Sequence, residues 1–295
     1  MIIGNYKNGN YWVTILDDGT KIRANNLDYF SPEMPESMDI KICNKCDMGC
    51  PMCHENSTPD GEIGDIMNLK FIDGLHEYTE LAIGGGNPLE HPDLVPFLQK
   101  CKRLKLIPSM TVNQVHFMKN QSLIRSLVDN HLIYGLGISL TDADDDFVSA
   151  VKKIPNAVIH VINGIVTLEQ LEKLKAAGNL KILMLGYKEF RRGVSLYNSR
   201  KNEIEHLKSI LHDALPEIVN NGWFEAVSFD NLAVQQLEPK RLMSDNQWRE
   251  FYLGDDGFAT MYIDAVKGEF ARSSTSTERY PIKDNIKEMF DVVRV

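Results

Sequence analysis

The sequence has 295 residues, of which 43% are hydrophobic and 25% are charged, as is ordinary for a soluble globular protein. Its formal net charge of −9 argues against a broad electrostatic surface for nucleic acid, so we do not expect a nucleic-acid partner. No basic region followed by an apolar run opens the chain, and no apolar stretch reaches the length of a membrane span. We therefore expect a cytoplasmic protein without a signal peptide or a membrane segment.

The first predicted element is a β-hairpin near the N-terminus. Residues 10–24 contain two short β-rich runs on either side of an Asp-Asp-Gly turn at 17–19. We assign residues 1–36 to an N-terminal β-hairpin extension, because the turn-rich segment 31–37 separates it from the rest of the chain.

A regular alternation of strands and helices occupies residues 37–200. One of its helices has both end signals, because Thr167 and Gln170 form a capping box and Gly178 marks the end. Strand–helix units in series predict a parallel sheet with right-handed crossovers. The six predicted strands are 38–42, 80–85, 109–113, 135–140, 157–162 and 181–187.

The alternation ends near residue 190, and we assign residues 201–295 to a C-terminal α+β appendage. This part contains a long helix, a strand, a short helix, a two-stranded piece that turns at 267–268, and a final helix. The sequence thus predicts an α/β fold, in which one body carries an N-terminal hairpin and a C-terminal appendage.

Four of the five cysteines lie within eleven residues, directly after the first strand of the alternating pattern. Cys46, Cys50 and Cys53 have the spacing C-x3-C-x2-C, and Cys43 stands three residues before them. Such crowding favours an intracellular metal site over disulfides. Three centres are open on this pattern: a structural zinc held by two closely spaced C-x2-C pairs, a four-thiolate iron–sulfur cluster, and a [4Fe–4S] cluster with three thiolates and one open iron.

The segment CDMGCPMC at 46–53, placed after a first β-strand, resembles the signature of the radical SAM enzymes. The resemblance implies that Cys46, Cys50 and Cys53 ligate a [4Fe–4S] cluster, and that S-adenosylmethionine (SAM) chelates the fourth iron. It also implies a partial (β/α)6 barrel over residues 37–200. We expect Cys43 to occupy a strand end without ligating the cluster, and Cys101 to lie in a helix core.

The segment IGGGNPLEHPDL at 83–94 follows the second predicted strand, where that family carries a Gly-Gly-Glu-Pro motif. Gly85 and Gly86 match the glycine pair, preceded by Gly84, and Pro88 matches the proline. Glycines let the backbone approach a ligand without a Cβ in the way. The sequence departs from the family at Asn87, whose amide oxygen can accept from the SAM ammonium group without the charge-assisted gain of a carboxylate. The resemblance implies that these five residues bind SAM.

Further SAM contacts are expected at Met52 and at three polar residues that follow or end predicted strands. By the resemblance, the backbone of Met52 meets the adenine. Asn113, Ser139 and Asn163 stand at the carboxyl ends of strands three, four and five, where they would reach the ribose or the methionine part of SAM. The alternative is that they cap the helices that follow.

Basic residues follow the sixth predicted strand, in the segment GYKEFRRG at 186–193. We expect Lys188 and Arg191 to lie at the rim of the barrel as catalytic-site residues, binding an anionic part of the substrate or the SAM carboxylate. The alternative is a solvated basic loop. His54 and Glu55, directly after the third cysteine, are expected either to face the site or to lie at the surface.

The resemblance therefore implies a radical SAM enzyme that reductively cleaves SAM to a 5′-deoxyadenosyl radical for hydrogen-atom abstraction. We expect a peptide or protein substrate, because residues 254–276 resemble the C-terminal hairpin of peptide-modifying members, although they lack its cysteines. A flavodoxin or ferredoxin would supply the electron. The alternatives are a nucleotide or small-metabolite substrate, and a non-catalytic metal-stabilised binding protein.

Overall fold

The structure is a computed structural model that describes residues 1–294. Over that range the chain forms thirteen strands and nine α-helices. The strands are β1 (Ile2–Asn8), β2 (Tyr11–Leu16), β3 (Lys21–Ala24), β4 (Ser37–Cys43), β5 (Glu80–Gly85), β6 (Ile107–Asn113), β7 (Gly135–Ser139), β8 (Ala157–Ile162), β9 (Lys181–Leu185), β10 (Ala226–Phe229), β11 (Thr260–Asp264), β12 (Glu269–Ala271) and β13 (Tyr280–Pro281). The helices are α1 (Leu94–Arg103), α2 (Gln114–Lys119), α3 (Gln121–Asp129), α4 (Asp145–Val151), α5 (Leu168–Ala177), α6 (Arg192–Asn220), α7 (Asn231–Leu237), α8 (Asp245–Phe251) and α9 (Ile286–Val293).

A ten-stranded sheet forms the centre of the molecule, in the order β10-β9-β8-β7-β6-β5-β4-β11-β12-β13. Strands β4 to β10 pair in parallel in chain order, and β11 pairs in parallel with β4 on its other side. The last two strands are antiparallel. The predicted α/β class is confirmed. Within residues 1–294 no pairing joins β10 to β13, so the sheet is not a closed barrel.

All six predicted strands of the alternating pattern are present, as β4 to β9. The two-stranded piece is also confirmed, since β11 and β12 are antiparallel and Gly268 turns between them with φ of 67°. The central sheet contains β10 and β11 as well, although the sequence assigned both to the appendage. The domain boundaries at residues 37 and 201 stay predictions.

The N-terminal extension is a three-stranded antiparallel sheet in the order β1-β2-β3. The predicted hairpin corresponds to β2 and β3, and β1 was missed. The sequence of β1 hides its alternation, because Gly4, Tyr6 and Asn8 are the buried positions. Gly4 is required by packing, since a Cβ there would lie 2.3 Å from the ring of Tyr78.

Glu36 connects this small antiparallel sheet to the central sheet. Its buried carboxylate accepts hydrogen bonds from Tyr11 and from Arg23, whose Nε lies 2.9 Å from Oε1. Lys21 Nζ lies 3.3 Å from Glu36 Oε2 and 2.5 Å from Oε2 of Glu80, at the start of β5. These partners offset the free-energy cost of burying the Glu36 carboxylate. The ion pairs of Lys21 with Glu36 and Glu80 therefore connect the small sheet to the central sheet.

Helix ends follow the predicted signals. Thr167 and Gln170 form the capping box of α5, and Gly178 is its C-cap. Asp144 caps α4 through a hydrogen bond from Phe147 N. None of the helices up to residue 294 is both long and apolar enough to cross a membrane.

The strands of the central sheet alternate between an apolar and a polar face. On β4, Met38 and Ile40 pack in the main core with the crossover helices, whereas Asp39 between them lies on the opposite face. On β8, His160 is partly exposed on that same face between the buried Ile159 and Val161. We call this polar side the inner face.

The central sheet curves around its inner face. Asn231 Nδ2, at the start of α7 just after β10, donates to Asp256 Oδ1, just before β11, at 2.7 Å. In a flat sheet the two strands would be roughly 34 Å apart, given seven spacings of about 4.8 Å. The contact therefore requires the two sides of the parallel sheet to approach each other.

Candidate metal centre and cofactor site

Residues 44–58, which we call the cluster loop, follow β4 and carry the three cysteines. The loop folds back on itself, because Cys46 N donates to Thr58 O at 2.8 Å and Cys53 N donates to Cys50 O at 3.2 Å. Cys46, Cys50 and Cys53 are free thiols of intermediate exposure. They lie at the carboxyl end of a parallel strand, where α/β folds gather their ligands.

Cys46 and Cys50 each lie close enough to a neighbouring thiol to be affected by its charge. Burial, followed by the proximity of Cys50 and Cys53, raises the pKa of Cys46. Burial and the neighbouring Cys53 likewise raise the pKa of Cys50. A metal centre bound among them would reverse this effect, because it stabilises thiolates. Three free and partly exposed thiols on one short loop are the donor set that a centre with three thiolate ligands needs.

Cys43 and Cys101 differ from these three thiols because they are buried. Cys43 ends β4, is fully buried, and places its Sγ 3.3 Å from the carbonyl oxygen of Asn87. Burial raises the pKa of Cys43 to about 11 and that of Cys101 to about 12. The core position of Cys101 is confirmed. That Cys43 is not a ligand stays a prediction.

The glycine-rich motif at the end of β5 packs on the cluster loop. Gly86 N donates to Cys43 O at 2.8 Å. A Cβ at Gly85 would lie 2.4 Å from Cys43 O, and one at Gly86 would lie 2.3 Å from Lys45 O. These two glycines are thus required by packing inside the protein, a reason that the sequence did not reveal. Gly84 differs, because a Cβ there would meet no atom within 4 Å, and so it faces open space.

The side chain of Asn87 is engaged within its own turn. Asn87 is buried; its Oδ1 accepts from Leu89 N at 3.3 Å and its Nδ2 donates to Glu90 Oε1 at 3.2 Å. Pro88, also buried, begins the 3-10 helix that Asn87 caps. The motif lacks a glutamate at position 87 but holds a carboxylate three residues later. Glu90 was missed, because the resemblance directed attention to the motif positions alone.

Asn113 and Ser139 lie side by side on the inner face. In the register of the sheet Asn113 pairs with Ser139, and Ser139 pairs with His160. Asn113 also caps α2, since its Oδ1 accepts from Val115 N at 2.8 Å. The helix-cap alternative is confirmed for Asn113, while contacts of Asn113 and Ser139 with SAM stay predictions.

Asn163 does not lie beside Asn113 and Ser139 on the inner face. It is 1% exposed, and its Nδ2 donates to Oε1 of Gln236 on α7 at 3.1 Å. Gln236 Oε1 also accepts from Tyr187 N at 2.9 Å. Asn163 therefore contacts the helix that follows β10, and His160 takes the place on β8 next to Ser139. Its predicted contact with SAM stays a prediction.

The basic loop after β9 contacts the cluster loop through Arg191. Arg191 Nη1 donates to the backbone oxygen of Glu55 at 2.9 Å and lies 3.2 Å from its Oε2. Met52 is close to the start of α6, because its carbonyl oxygen would lie 3.8 Å from a Cβ at Gly193. Glu55 is buried, so of its two predicted positions the surface is excluded.

Lys188 has different surroundings from Arg191. Its Nζ donates to Ser274 Oγ at 3.0 Å, so the loop after β9 contacts the segment after β12. Desolvation on the inner face raises the pKa of Asp39 to about 6, against the attraction of Lys188. Lys188 therefore lies close to the inner face, whereas Arg191 is held by the cluster loop. The functional role of each stays a prediction.

His160 is an inner-face residue that the sequence analysis missed. A Cβ at Gly137 on β7 would lie 2.3 Å from its Cε1, so the missing side chain at Gly137 makes room for the imidazole. Burial lowers the pKa of His160 to about 4, which keeps the ring neutral at pH 7. The sequence did contain a signal for His160, because it is the one polar residue of the strand AVIHVI.

His116 lies close to the first cysteine of the cluster loop, and the sequence analysis also missed this residue. It is 3% exposed, and its Nε2 lies 2.6 Å from Asp47 Oδ1. Cys46, Asp47 and His116 each offer a ligand atom within 4.8 Å of the other two. No local pattern could have linked Asp47 to His116, because 69 positions separate them.

Similar folds occur among solved structures at low sequence identity. SuiB from Streptococcus suis bound to the precursor peptide SuiA has a TM-score of 0.57 and 15% identity, over 88% of this chain and 65% of that one. SuiB bound to S-adenosylmethionine gives 0.57 and 16%, over 88% and 64%. A third SuiB structure gives 0.58 and 14%, over 99% and 86%.

This chain thus spans just under two thirds of SuiB in the first two comparisons. No protein-family model matches the sequence, and no curated protein does. At these identities the likeness concerns the fold, and the chain has an α/β fold similar to that of SuiB, with a mostly parallel central sheet and a small antiparallel sheet.

Proposed function

We propose that this protein is a radical SAM enzyme in which Cys46, Cys50 and Cys53 hold a [4Fe–4S] cluster that binds SAM. The observation that carries the proposal is the grouping of three partly exposed thiols at the end of β4, beside a glycine-rich turn whose Gly84 faces open space. The resemblance of both motifs to that family supports it. So does the similar fold of SuiB, which has been solved with S-adenosylmethionine.

When bound and reduced, the cluster would supply the electron that cleaves SAM to methionine and a 5′-deoxyadenosyl radical, which abstracts a hydrogen atom. The residues of this chain bind and enclose the reactants. Gly84 leaves room for SAM, Glu90 offers a carboxylate for its ammonium group, and Ser139 offers a hydroxyl on the inner face. The curved sheet would surround the reacting part of the substrate and restrict the access of water.

The substrate that we propose is a peptide or protein. The structure of SuiB with its precursor peptide supports this class, because the two proteins share a fold. Lys188, which lies close to the inner face, would bind an anionic part of this substrate. The enzyme would act in the cytoplasm and receive its electron from a flavodoxin or a ferredoxin.

Anaerobic reconstitution tests the cofactor assignment. We expect about four irons and four sulfides per chain, an EPR spectrum of the reduced cluster that changes on addition of SAM, and 5′-deoxyadenosine formed with dithionite. Tight zinc without iron would overturn the proposal and indicate a metal-stabilised binding protein. In that case His116→Phe should lower zinc affinity, because His116 lies within 4.8 Å of the donor atoms of Cys46 and Asp47.

Isotope transfer tests the substrate class. Deuterated peptides encoded beside this protein are incubated with SAM, reductant and the reconstituted enzyme. We expect deuterium in 5′-deoxyadenosine and a mass change in one peptide. Transfer from a deuterated nucleotide or small metabolite, with none from the peptides, would overturn the peptide assignment and keep the SAM chemistry.

A further inference from the structure

Glu55, two residues after Cys53, joins distant parts of the chain. Its Oε2 lies 2.9 Å from Nζ of Lys41 on β4 and 3.2 Å from Nη1 of Arg191, directly before α6. Its Oε1 accepts a hydrogen bond from the hydroxyl of Tyr262 on β11 at 3.3 Å. One carboxylate of the cluster loop thus contacts the central sheet, the start of α6 and the C-terminal part of the chain.

The start of α6 also binds the backbone of the cluster loop, and an ion pair connects β4 to β11. Arg191 Nη1 donates to the backbone oxygen of Glu55 at 2.9 Å, and Arg192 Nη2 donates to the backbone oxygen of Ser57 at 2.7 Å. Lys41 Nζ lies 3.3 Å from Oδ2 of Asp264 on β11. Residues 53–58 are therefore held from the α6 side and from the side of β4 and β11.

The charges of this network are buried and balanced. The side chains of Lys41, Asp264 and Glu55 are 2%, 0% and 7% exposed, and that of Arg191 is 22% exposed. Two cations thus face two carboxylates, and each charge has an opposite partner. Desolvation offsets most of the attraction in a buried network, so its main effect here is to hold its members in one arrangement.

We propose that Glu55 is a positioning residue that fixes Cys53 by tying the cluster loop to the C-terminal strand β11. That Cys53 is a cluster ligand rests on the proposed function. The connection of the cluster loop to β11 through Glu55 does not depend on it. Residues 102–295 contain no cysteine, so the C-terminal segment has no thiol to offer a metal. It serves the site by supporting the loop through the hydrogen bond from Tyr262 to Glu55.

The first measurement uses the metal-free protein, so it does not depend on cluster formation. Glu55→Gln and Tyr262→Phe are compared with wild type by hydrogen–deuterium exchange of residues 46–58 and by the rate at which an alkylating reagent labels Cys53. We expect exchange at 53–58 and labelling of Cys53 to be about fivefold faster, as loss of a hydrogen bond of about 1 kcal/mol predicts. Tyr262→Phe removes one hydroxyl only, so it tests the contact between Glu55 and β11 even where Glu55→Gln folds poorly.

Asp264→Asn is the matched control. Asp264 is as buried as Glu55 and pairs with the same Lys41, but it does not contact the cluster loop. We expect this variant to lower the melting temperature while leaving the labelling of Cys53 within twofold of wild type, since lost stability alone does not open the loop. Unchanged exchange and labelling in Glu55→Gln and Tyr262→Phe would overturn the proposal.

The second measurement uses the reconstituted protein. In Glu55→Gln and Tyr262→Phe we expect a shifted cluster reduction potential and EPR spectrum at full iron content, and in Asp264→Asn the wild-type values. Wild-type spectra in the fully loaded Glu55 variant would count against the proposal. If wild type takes up no cluster, the proposed function fails, and exchange and labelling in the metal-free protein still decide whether Glu55 holds Cys53.

Discussion

Asn87 donates a hydrogen bond from Nδ2 to Oε1 of Glu90 at 3.2 Å. The other carboxylate oxygen of Glu90 lies 3.2 Å from Nζ of Lys45 in the cluster loop. The Glu90 side chain is 34% exposed, so it remains accessible to a ligand. The glycine-rich motif, whose glutamate is replaced by an amide in this sequence, thus has a carboxylate held in place beside it.

We predict that Glu90→Gln weakens SAM binding to the reconstituted protein. A carboxylate that accepts from an ammonium group contributes about 1.5–3 kcal/mol, so Kd should rise at least about tenfold. Anaerobic titration calorimetry with SAM measures this change. Glu77→Gln is the control, because Glu77 makes an ion pair of 2.9 Å with Lys105 away from the motif. An unchanged Kd would mean that Glu90 serves only to hold Asn87 and Lys45.

We predict that Cys50→Ala loses most of its iron on reconstitution, whereas Cys43→Ala retains about four irons per chain, the load of one such cluster. The reason is that Cys43 is fully buried with its Sγ 3.3 Å from the Asn87 carbonyl oxygen, whereas the other three thiols are partly exposed. Cys43→Ala should instead cost about 1 kcal/mol of unfolding free energy, through lost packing. Iron analysis and urea unfolding measure the two effects. Equal iron loss in both variants, or about eight irons in wild type, would contradict this prediction.

Lys188 and Arg191 should differ in their effects, although the sequence placed both at the rim. Arg191→Gln removes the cation that holds Glu55, so we expect slower SAM cleavage even without substrate, at full iron content. Lys188→Gln should keep the iron and the cleavage of SAM in the absence of substrate, while product formation falls about tenfold or more, as loss of a charge-assisted hydrogen bond predicts. Iron analysis, 5′-deoxyadenosine and product are measured for both variants. Identical behaviour of the two variants would refute this division of roles.

The elements that the sequence predicted are those whose signals are local. Alternating apolar residues and end signals such as Gly178 lie within short segments, and the strands and helix end that they predict were found where expected. β10 was recognised as a strand but not as part of the central sheet. It has four residues, and none of them is fully buried, so its apolar pattern does not reveal which neighbour it pairs with.

The side chains that surround the cluster loop could not be predicted, because their partners are distant in sequence. Tyr262 reaches Glu55 across 207 positions, and His116 reaches Asp47 across 69. Strand order decides such contacts, and nothing local indicates that β11 pairs beside β4. The sequence also did not reveal that Gly85 and Gly86 make room for the backbone of Cys43 and Lys45; that these glycines bind SAM stays a prediction.

His160 gives the protein a pH-dependent stability whose sign follows from its surroundings. Burial lowers its pKa from 6.5 to about 4. The unfolded chain therefore binds a proton at this site between about pH 6.5 and pH 4, while the folded chain does not. Because the unfolded state binds more protons in this window, the free energy of unfolding falls as the pH is lowered through it.

We therefore predict that metal-free wild type loses about 1–2 kcal/mol of unfolding free energy at this site between pH 7.5 and pH 5, a value reduced for the partial exposure of the ring. His160→Gln should lack this loss, so its stability should depend less steeply on pH than that of wild type. Urea unfolding at the two pH values measures the difference, and His206→Gln, at an exposed position of α6, is the control for the loss of a histidine side chain. Equal slopes for wild type and His160→Gln would show that the imidazole is protonated as readily in the folded protein as in the unfolded chain, and that the inner face does not keep it neutral.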